Sequence, residues 1–166
     1  MLYQYGFKFT NDHKQIEDCI QDLFLDLWEK RAGLGATDHI KPYLLTAFRR
    51  KLIRTLSKNN IVIDRNFAID NYNFVITASA EVHLTEKEAE AALISTMANH
   101  LSKLPKKQRE VLYLRYYCEL EYDEIASVMN ISYQSARNLM YKAIKTMKRR
   151  FRSTGFPILK LFLAFF

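Results

Sequence analysis

The sequence is poor in the residues that characterise specialised scaffolds. Its 166 residues include four Gly, three Pro and two Cys, which excludes a collagen-like repeat, a low-complexity chain and a disulfide-stapled domain. Cys19 and Cys118 lie 99 positions apart, with no other Cys or His at the spacing of a metal site. We therefore predict two free, buried thiols, with no metal site and no cofactor.

The chain also lacks a long hydrophobic run. Its most apolar stretch, 156–166, is eleven residues long and contains Pro157 and Lys160, whereas a membrane-spanning helix needs about 20 apolar residues. The N-terminus has no basic segment followed by an apolar run, so it does not resemble a signal peptide. We therefore expect a soluble, cytoplasmic protein. We expect the hydrophobic tail at 153–166 to pack on the second domain, and binding to a partner or to a membrane surface are the alternatives.

Acidic residues are missing from two basic segments. The net charge of +7 divides into +3 over 1–59, −3 over 60–104 and +7 over 105–166. The basic residues of the first acid-free segment are Lys41, Arg49, Arg50, Lys51, Arg54 and Lys58. Those of the second are Arg137, Lys142, Lys145, Lys148, Arg149, Arg150 and Arg152. Two basic helices separated by an acidic segment suggest two contacts with one polyanion, although solvated helix faces can have the same composition.

Apolar residues recur at intervals of three and four, which is typical of amphipathic helices. The helix predicted over 14–31 buries Ile16, Cys19, Ile20, Leu23, Phe24, Leu27 and Trp28. A second helix ends near Ser57, and further helices are predicted over 81–103, 105–117, 122–129 and 133–151. The polar, aperiodic segment between them predicts a flexible linker. The chain is therefore predicted to be all-α, with two small helical domains, over 1–58 and 81–152, and a linker at 59–80.

The segment 122–147 has the pattern of a helix-turn-helix, so the second domain is predicted to have this fold. Ala126 provides a small residue where the helices cross, and Asn130, four positions later, tolerates the left-handed backbone that the turn needs. Ile131 can fill the space between the helices, and Ser132 can cap the second one. The stripe predicted to be buried in that second helix comprises Ala136, Leu139, Met140, Ala143, Ile144 and Met147.

The opposite face of this second helix has the chemistry of a DNA-reading surface. It presents Gln134, Arg137, Asn138, Tyr141, Lys145 and Lys148. Arg can pair with guanine, and Asn or Gln with adenine, while the lysines towards the C-terminus suit phosphate contacts. A structural hairpin with a basic outer face is the alternative to DNA binding.

The chain resembles a known family in both halves. LSKLPKKQREVLYLRYY, at 101–117, and the helix-turn-helix that follows resemble the C-terminal domain of extracytoplasmic-function (ECF) sigma factors of bacterial RNA polymerase. IEDCIQDLFLDLWEKR and IKPYLLTAFRRKLIRTL, at 16–31 and 40–56, resemble their N-terminal domain. SYQSARNLMYKAIKTMKRR, at 132–150, is similar to the branch that works with iron-uptake-type signalling systems. Family members usually begin with one more helix, so the resemblance implies that the first helix is missing.

The resemblance implies a subunit that directs core polymerase to specific promoters and initiates DNA-templated transcription. Its minus-35 contacts would be Tyr133, Gln134, Ser135, Arg137, Asn138, Tyr141, Lys142 and Lys145. Its minus-10 contacts would be Tyr43, Arg49, Arg50, Lys51 and Arg54. Its docking surface for the polymerase β′ coiled coil would be Gln21, Asp22, Leu25, Asp26 and Glu29. The helix around 111–116 would contact the β flap.

The implied partners are core RNA polymerase, promoter DNA and a membrane-linked anti-sigma factor, with no small-molecule substrate. A stand-alone helix-turn-helix regulator is the alternative, and it would need a dimer interface or ligand pocket within residues 1–100. An enzyme would need a nucleophile beside clustered Arg and carboxylates, which the sequence does not supply. His13, His39, His83 and His100 are scattered, so we predict no catalytic residue and no metal ligand.

Overall fold

The computed structural model describes residues 1–59, 73–75 and 88–152. No strand occurs in these ranges, and the predicted all-α class is confirmed. The described helices are α1 (Leu2–Gly6), α2 (His13–Glu29), α3 (Ile40–Asn59), α4 (Glu88–Ser102), α5 (Lys106–Tyr116), α6 (Tyr122–Met129) and α7 (Tyr133–Arg152). A 3-10 turn at Arg31–Gly33 joins α2 to α3. The helical start predicted over 81–87, most of the predicted linker and the tail at 153–166 lie outside the described residues.

The helices α1, α2 and α3 pack closely against one another. α2 begins where the Asp12 carboxylate accepts a hydrogen bond from the Gln15 N–H at 3.0 Å, as an N-cap does. A Cβ added to Gly6 would lie 2.9 Å from both Ile16 Cγ2 and Phe48 Cζ. Glycine at this position therefore lets α1 approach α2 and α3 closely.

The buried stripe of α2 is narrower than predicted. Ile16, Cys19 and Leu23 are buried, but Phe24 and Trp28 are 52% and 67% exposed. The prediction is wrong for these two residues because seven apolar side chains cover more of the helix circumference than α1 and α3 contact. The extra apolar side chains of α2 form a surface instead.

One side of α3 packs into the core. Leu45, Phe48, Leu52 and Ile53 form the core side of the helix, while Leu44, Ala47 and Leu56 are half-buried at its edge. In the second half, α5 buries Val111, Leu112, Tyr113 and Leu114. Cys19 and Cys118 are free and buried, as predicted.

The two halves of the chain share one core. The rings of Tyr5 and Phe9 in the first half pack with those of Phe74 and Tyr113, at centroid distances of 5.1 to 6.1 Å from Tyr5. Phe74 belongs to the predicted linker, yet it is fully buried. The next residue, Val75, donates its N–H to the carbonyl of Lys8 at 2.7 Å. This part of the segment is therefore fixed in the core rather than free.

Candidate nucleic-acid interface

The turn between α6 and α7 has the geometry predicted from its residues. α6 begins with a capping box, in which the Glu121 N–H donates to the Glu124 carboxylate at 2.8 Å. It ends at Met129, and its C-cap Asn130 has a φ of 54° and a ψ of 52°, which place it in the left-handed region. The Ile131 N–H then donates to the Ala126 carbonyl at 3.0 Å. These bonds fix the direction in which the chain leaves α6.

Ser132 fixes the start of α7. Its hydroxyl accepts a hydrogen bond from the Ser135 N–H at 3.1 Å, and the two serine hydroxyls lie 2.8 Å apart. The predicted cap is thereby confirmed. Because α7 follows a turn with defined backbone geometry, the face that it presents to solvent is set by the turn.

α7 has a buried stripe and a polar face, as its sequence pattern predicts. Ala136, Met140, Ala143 and Met147 are buried, and Leu139 and Ile144 pack against the same core. The side chains predicted to contact DNA in this helix are all exposed: Tyr133, Gln134, Ser135, Arg137, Asn138, Tyr141, Lys142 and Lys145. We call this set the α7 face.

Side chains of the α7 face contact one another. Gln134 Nε2 donates to Asn138 Oδ1 at 3.2 Å. The Arg137 guanidinium lies 5.9 Å from the centre of the Tyr133 ring. Pairs at this spacing restrict the side chains before a ligand arrives, and they are weak enough to be exchanged for contacts with base edges.

The basic residues of α3 lie partly on the surface and partly in the interior of the protein. Tyr43, Arg50 and Arg54 are exposed, and we call these three residues the α3 face. Lys51 is half-buried, and its ammonium donates to Asp26 Oδ2 at 2.7 Å. Tyr43, Arg50 and Arg54 line a cleft of about 250 Å³ between α2 and α3, together with apolar side chains that include Leu27. This cleft combines a positive rim with apolar walls.

Arg49 does not lie on that surface. It is 3% exposed, and its guanidinium forms two hydrogen bonds with the carboxylate of Glu110, at 2.7 and 3.2 Å. Glu110 is fully buried and also accepts a hydrogen bond from the Tyr5 hydroxyl at 2.6 Å. In this arrangement the Arg49 side chain is inside the protein and cannot reach a DNA strand. The sequence alone contained no signal for this, because the two partners lie 61 positions apart.

The outer face of α2 is exposed throughout. The predicted docking residues Gln21, Asp22, Leu25, Asp26 and Glu29 all have exposed side chains. Leu25 is 60% exposed and lies beside the exposed Phe24 and Trp28. We call these three side chains the α2 patch. The Arg31 guanidinium stacks 4.4 Å from the centre of the Trp28 ring and donates to the Trp28 carbonyl at 2.8 Å.

The described residues offer no metal-binding cluster of three or more His, Cys, Asp and Glu side chains. Among the described helices, none is both long enough and apolar enough to cross a membrane.

Comparison with known proteins identifies the family. Residues 1–61 match Sigma-70 region 2, and residues 97–147 match Sigma-70 region 4. The ECF RNA polymerase sigma factor SigM of Bacillus subtilis is 24% identical over 149 residues, which span 89% of this chain and 86% of SigM. The ECF RNA polymerase sigma factor SigL of Mycobacterium tuberculosis is 23% identical over 160 residues, or 93% of this chain and 85% of SigL.

Two solved structures have a similar fold. One is the sigma factor RpoE of Bartonella quintana, in complex with the anti-sigma factor NepR, with a TM-score of 0.59, 16% identity and coverage of 89% of this chain and 88% of RpoE. The other is CnrH in complex with the cytosolic domain of CnrY, with a TM-score of 0.52 and 16% identity. The match covers 92% of this chain and 79% of the solved chain. These structures show the fold. Regions 2 and 4 in their order along the sequence, together with the SigM and SigL relatives, show that the chain is an ECF RNA polymerase sigma factor.

Proposed function

We propose that this sigma factor reads the minus-35 element of its promoters with the α7 face. The observation that carries this proposal is the exposure of all eight predicted contact residues on α7, while the opposite stripe of the same helix is buried. Arg137 and Asn138 lie in the first two turns, where a recognition helix contacts base edges in the major groove. Lys142 and Lys145 lie further along and suit phosphate contacts.

The α3 face is the proposed minus-10 surface. Arg50 and Arg54 supply positive charge for an opened strand, and Tyr43 supplies a ring on which a base can stack. Lys51 can join them by exchanging its contact with Asp26 for a phosphate. Arg49 is one of the predicted minus-10 contacts, but its ion pair with Glu110 holds its side chain inside the protein.

The outer face of α2 is the proposed docking surface for the β′ coiled coil. Its acidic residues suit a basic partner helix, and the α2 patch adds apolar area beside them. Aromatic and apolar side chains surrounded by charge are typical anchors of protein interfaces. Trp28 and Phe24 extend the predicted surface, which contained Leu25 as its only apolar member.

We further propose that three parts of the chain have different roles. Residues 1–58 would dock on polymerase and read the minus-10 element, 59–80 would link the halves, and 81–152 would read the minus-35 element and contact the β flap. The chain itself would perform no catalysis and would work in the cytoplasm with polymerase. The solved complex of RpoE with NepR supports an anti-sigma factor as a further partner. The amino-acid sequence at 132–150 supports a membrane-linked anti-sigma factor of the iron-uptake type.

Transcription in vitro tests this function. Purified core polymerase is supplied with a pool of candidate promoter fragments, with and without the chain. We expect defined transcripts only when both proteins are present. Tight, sequence-specific binding by the isolated chain, without association with polymerase, would instead identify a stand-alone regulator.

A further inference from the structure

The first residue of α6, Tyr122, has an aromatic ring that contacts side chains of both neighbouring helices. Its ring centre lies 6.2 Å from that of Tyr133, the first residue of α7, and the two ring planes are inclined at 81°. This is an edge-to-face pair at an ordinary separation for aromatic rings. The guanidinium of Arg115, in the last turn of α5, lies 5.4 Å from the centre of the Tyr122 ring. Tyr122 therefore connects the end of α5 with the start of α7.

Tyr122 is the better fixed of the two rings. Its side chain is half-buried and packs against the hydrophobic core, whereas Tyr133 is 50% exposed. The capping box of Glu121 and Glu124 also fixes the backbone on both sides of Tyr122. An exposed ring on a helix exchanges between rotamers unless a fixed neighbour restricts it. Contact with Tyr122 therefore limits the positions that are open to the Tyr133 ring.

Arg115 is anchored beside Tyr122 by two contacts of its own. Its Nη1 donates a hydrogen bond to the Leu120 carbonyl at 2.8 Å. The same nitrogen forms an ion pair with the Glu121 carboxylate, also at 2.8 Å. The guanidinium is thereby held near the Tyr122 ring, where the attraction between a cation and an aromatic ring adds to the packing of that ring.

This series of contacts ends at a proposed base contact. The Arg137 guanidinium lies 5.9 Å from the centre of the Tyr133 ring, and the two residues are one helical turn apart on the same face of α7. A free arginine side chain loses much conformational freedom when it pairs with a base. A side chain that is already confined loses less, so its contact is stronger. A guanidinium that lies over a ring still has N–H donors at its edge for a guanine.

We propose that Tyr122 is a positioning residue for promoter recognition: it fixes the ring of Tyr133, which in turn orients the Arg137 guanidinium towards the base that it reads. In this role Tyr122 itself contacts no base. The inference rests on the proposed function, because Arg137 is a proposed minus-35 contact. The alternative is a purely structural role, in which Tyr122 stabilises the helix-turn-helix and affects the reading of every base pair alike.

Nitrogen-15 relaxation of the arginine Nε–H groups tests the ordering in the full chain, without polymerase or DNA. We expect Tyr122→Leu to lower the order parameter of Arg137 and to leave that of Arg149, an exposed arginine of the same helix, unchanged. Tyr122→Phe keeps the ring and should change neither. If Tyr122→Leu unfolds the chain and both order parameters fall, Tyr122→Met decides, because its flexible side chain can fill the same space without a ring. An unchanged Arg137 order parameter in the folded ringless variant would overturn the positioning role.

Binding of the polymerase complex to promoter fragments tests the consequence for base reading. The relevant base pair is the one at which Arg137→Ala relaxes the preference. At this base pair, Tyr122→Leu should reduce the ratio of affinities for the preferred and the substituted fragment about threefold, and Tyr122→Phe should retain the ratio. The ratios at the other minus-35 base pairs should not change. The control Tyr3→Leu removes a 36% exposed ring from α1 and should change no ratio.

The outcomes separate the inference from the function on which it rests. An unchanged ratio at the Arg137 base pair in Tyr122→Leu, or an equal reduction at every minus-35 base pair, would overturn the positioning role and leave the proposed function intact. If Arg137→Ala relaxed the preference at no base pair, the proposed minus-35 reading by this residue would be contradicted. The order parameter of Arg137 in Tyr122→Leu would then decide on the positioning role by itself.

Discussion

Arg49 and Glu110 form a bidentate ion pair that is almost fully buried and joins α3 to α5, with an Nε to Oε1 distance of 2.7 Å. A buried pair of this kind adds little net stability compared with apolar side chains, but it penalises every arrangement in which one partner is left without the other. The pair therefore specifies how the two halves meet. It also explains why Arg49, one arginine of a basic helix, is absent from the proposed minus-10 surface.

The Tyr5 hydroxyl should contribute measurably to stability. It donates to Glu110 Oε1 at 2.6 Å inside the core, and a hydrogen bond to a charged group is worth about 1.5–3 kcal/mol. Tyr5→Phe should lower the free energy of unfolding by about that amount in urea denaturation. Tyr141→Phe removes a hydroxyl from an exposed ring and should change stability by less than about 0.5 kcal/mol. Equal effects of the two substitutions would show that the buried contact is not formed.

The turn of the helix-turn-helix should tolerate glycine and reject a β-branched residue. Asn130 has a φ of 54°, where a side chain branched at Cβ clashes with the backbone. Asn130→Val should lower the free energy of unfolding by about 1–2 kcal/mol, and Asn130→Gly should change it by less than about 0.5 kcal/mol. Urea denaturation of both variants checks this. The geometry of the turn would be contradicted if glycine were the more destabilising of the two.

The α2 patch should contribute to polymerase binding and not to folding. Leu25 is 60% exposed, so Leu25→Ala should leave stability unchanged while weakening binding to core polymerase about tenfold, or 1.4 kcal/mol. Ile40 is 59% exposed on α3, outside the α2 patch, and Ile40→Ala is the matched control. Fluorescence anisotropy with the full chain and purified core measures both affinities. Equal affinity losses in the two variants would argue against the patch.

The contact between Lys51 and Asp26 should be visible as a pH effect. The hydrogen bond from Lys51, at 2.7 Å, lowers the pKa of the exposed Asp26 carboxyl. A carboxyl with a lowered pKa stabilises the fold above its ordinary pKa, and this contribution is lost as the pH falls through the folded-state value. Lys51→Met should raise the pKa of Asp26 in a carbon-13 NMR titration, and Lys41→Met should not. An unchanged Asp26 titration in Lys51→Met would show that the contact is absent in solution.

The sequence predicts local structure well where the residues that determine it are close together in the chain. The bounds of α6, the left-handed Asn130 and the Ser132 cap all depend on residues within a few positions of one another, and all three are confirmed. The exposure of the α7 face follows from the same turn. Its contacts with DNA remain a prediction.

The sequence predicts less where the partner is distant. Phe24 and Trp28 have the same spacing as the buried residues of α2, and only the limited contact area of α1 and α3 decides which side chains are covered. In the sequence, Arg49 cannot be distinguished from its basic neighbours Arg50 and Lys51, because its partner Glu110 lies 61 positions away. Phe74 lies in a polar, aperiodic segment, and its burial depends on a pocket made by Tyr5, Phe9 and Tyr113.

We propose that α7 reads base pairs, and a comparison of two basic residues of this helix tests this proposal. The measurement is binding of the polymerase complex to promoter fragments that differ at single minus-35 base pairs, at several salt concentrations. Arg137→Ala should cost about 1–3 kcal/mol on the preferred sequence and relax preference at one base pair. Lys148→Ala should weaken binding to every fragment equally and reduce the salt slope by about one. If both variants weakened all fragments to the same extent, with the base preference unchanged, α7 would not be the element that reads the promoter.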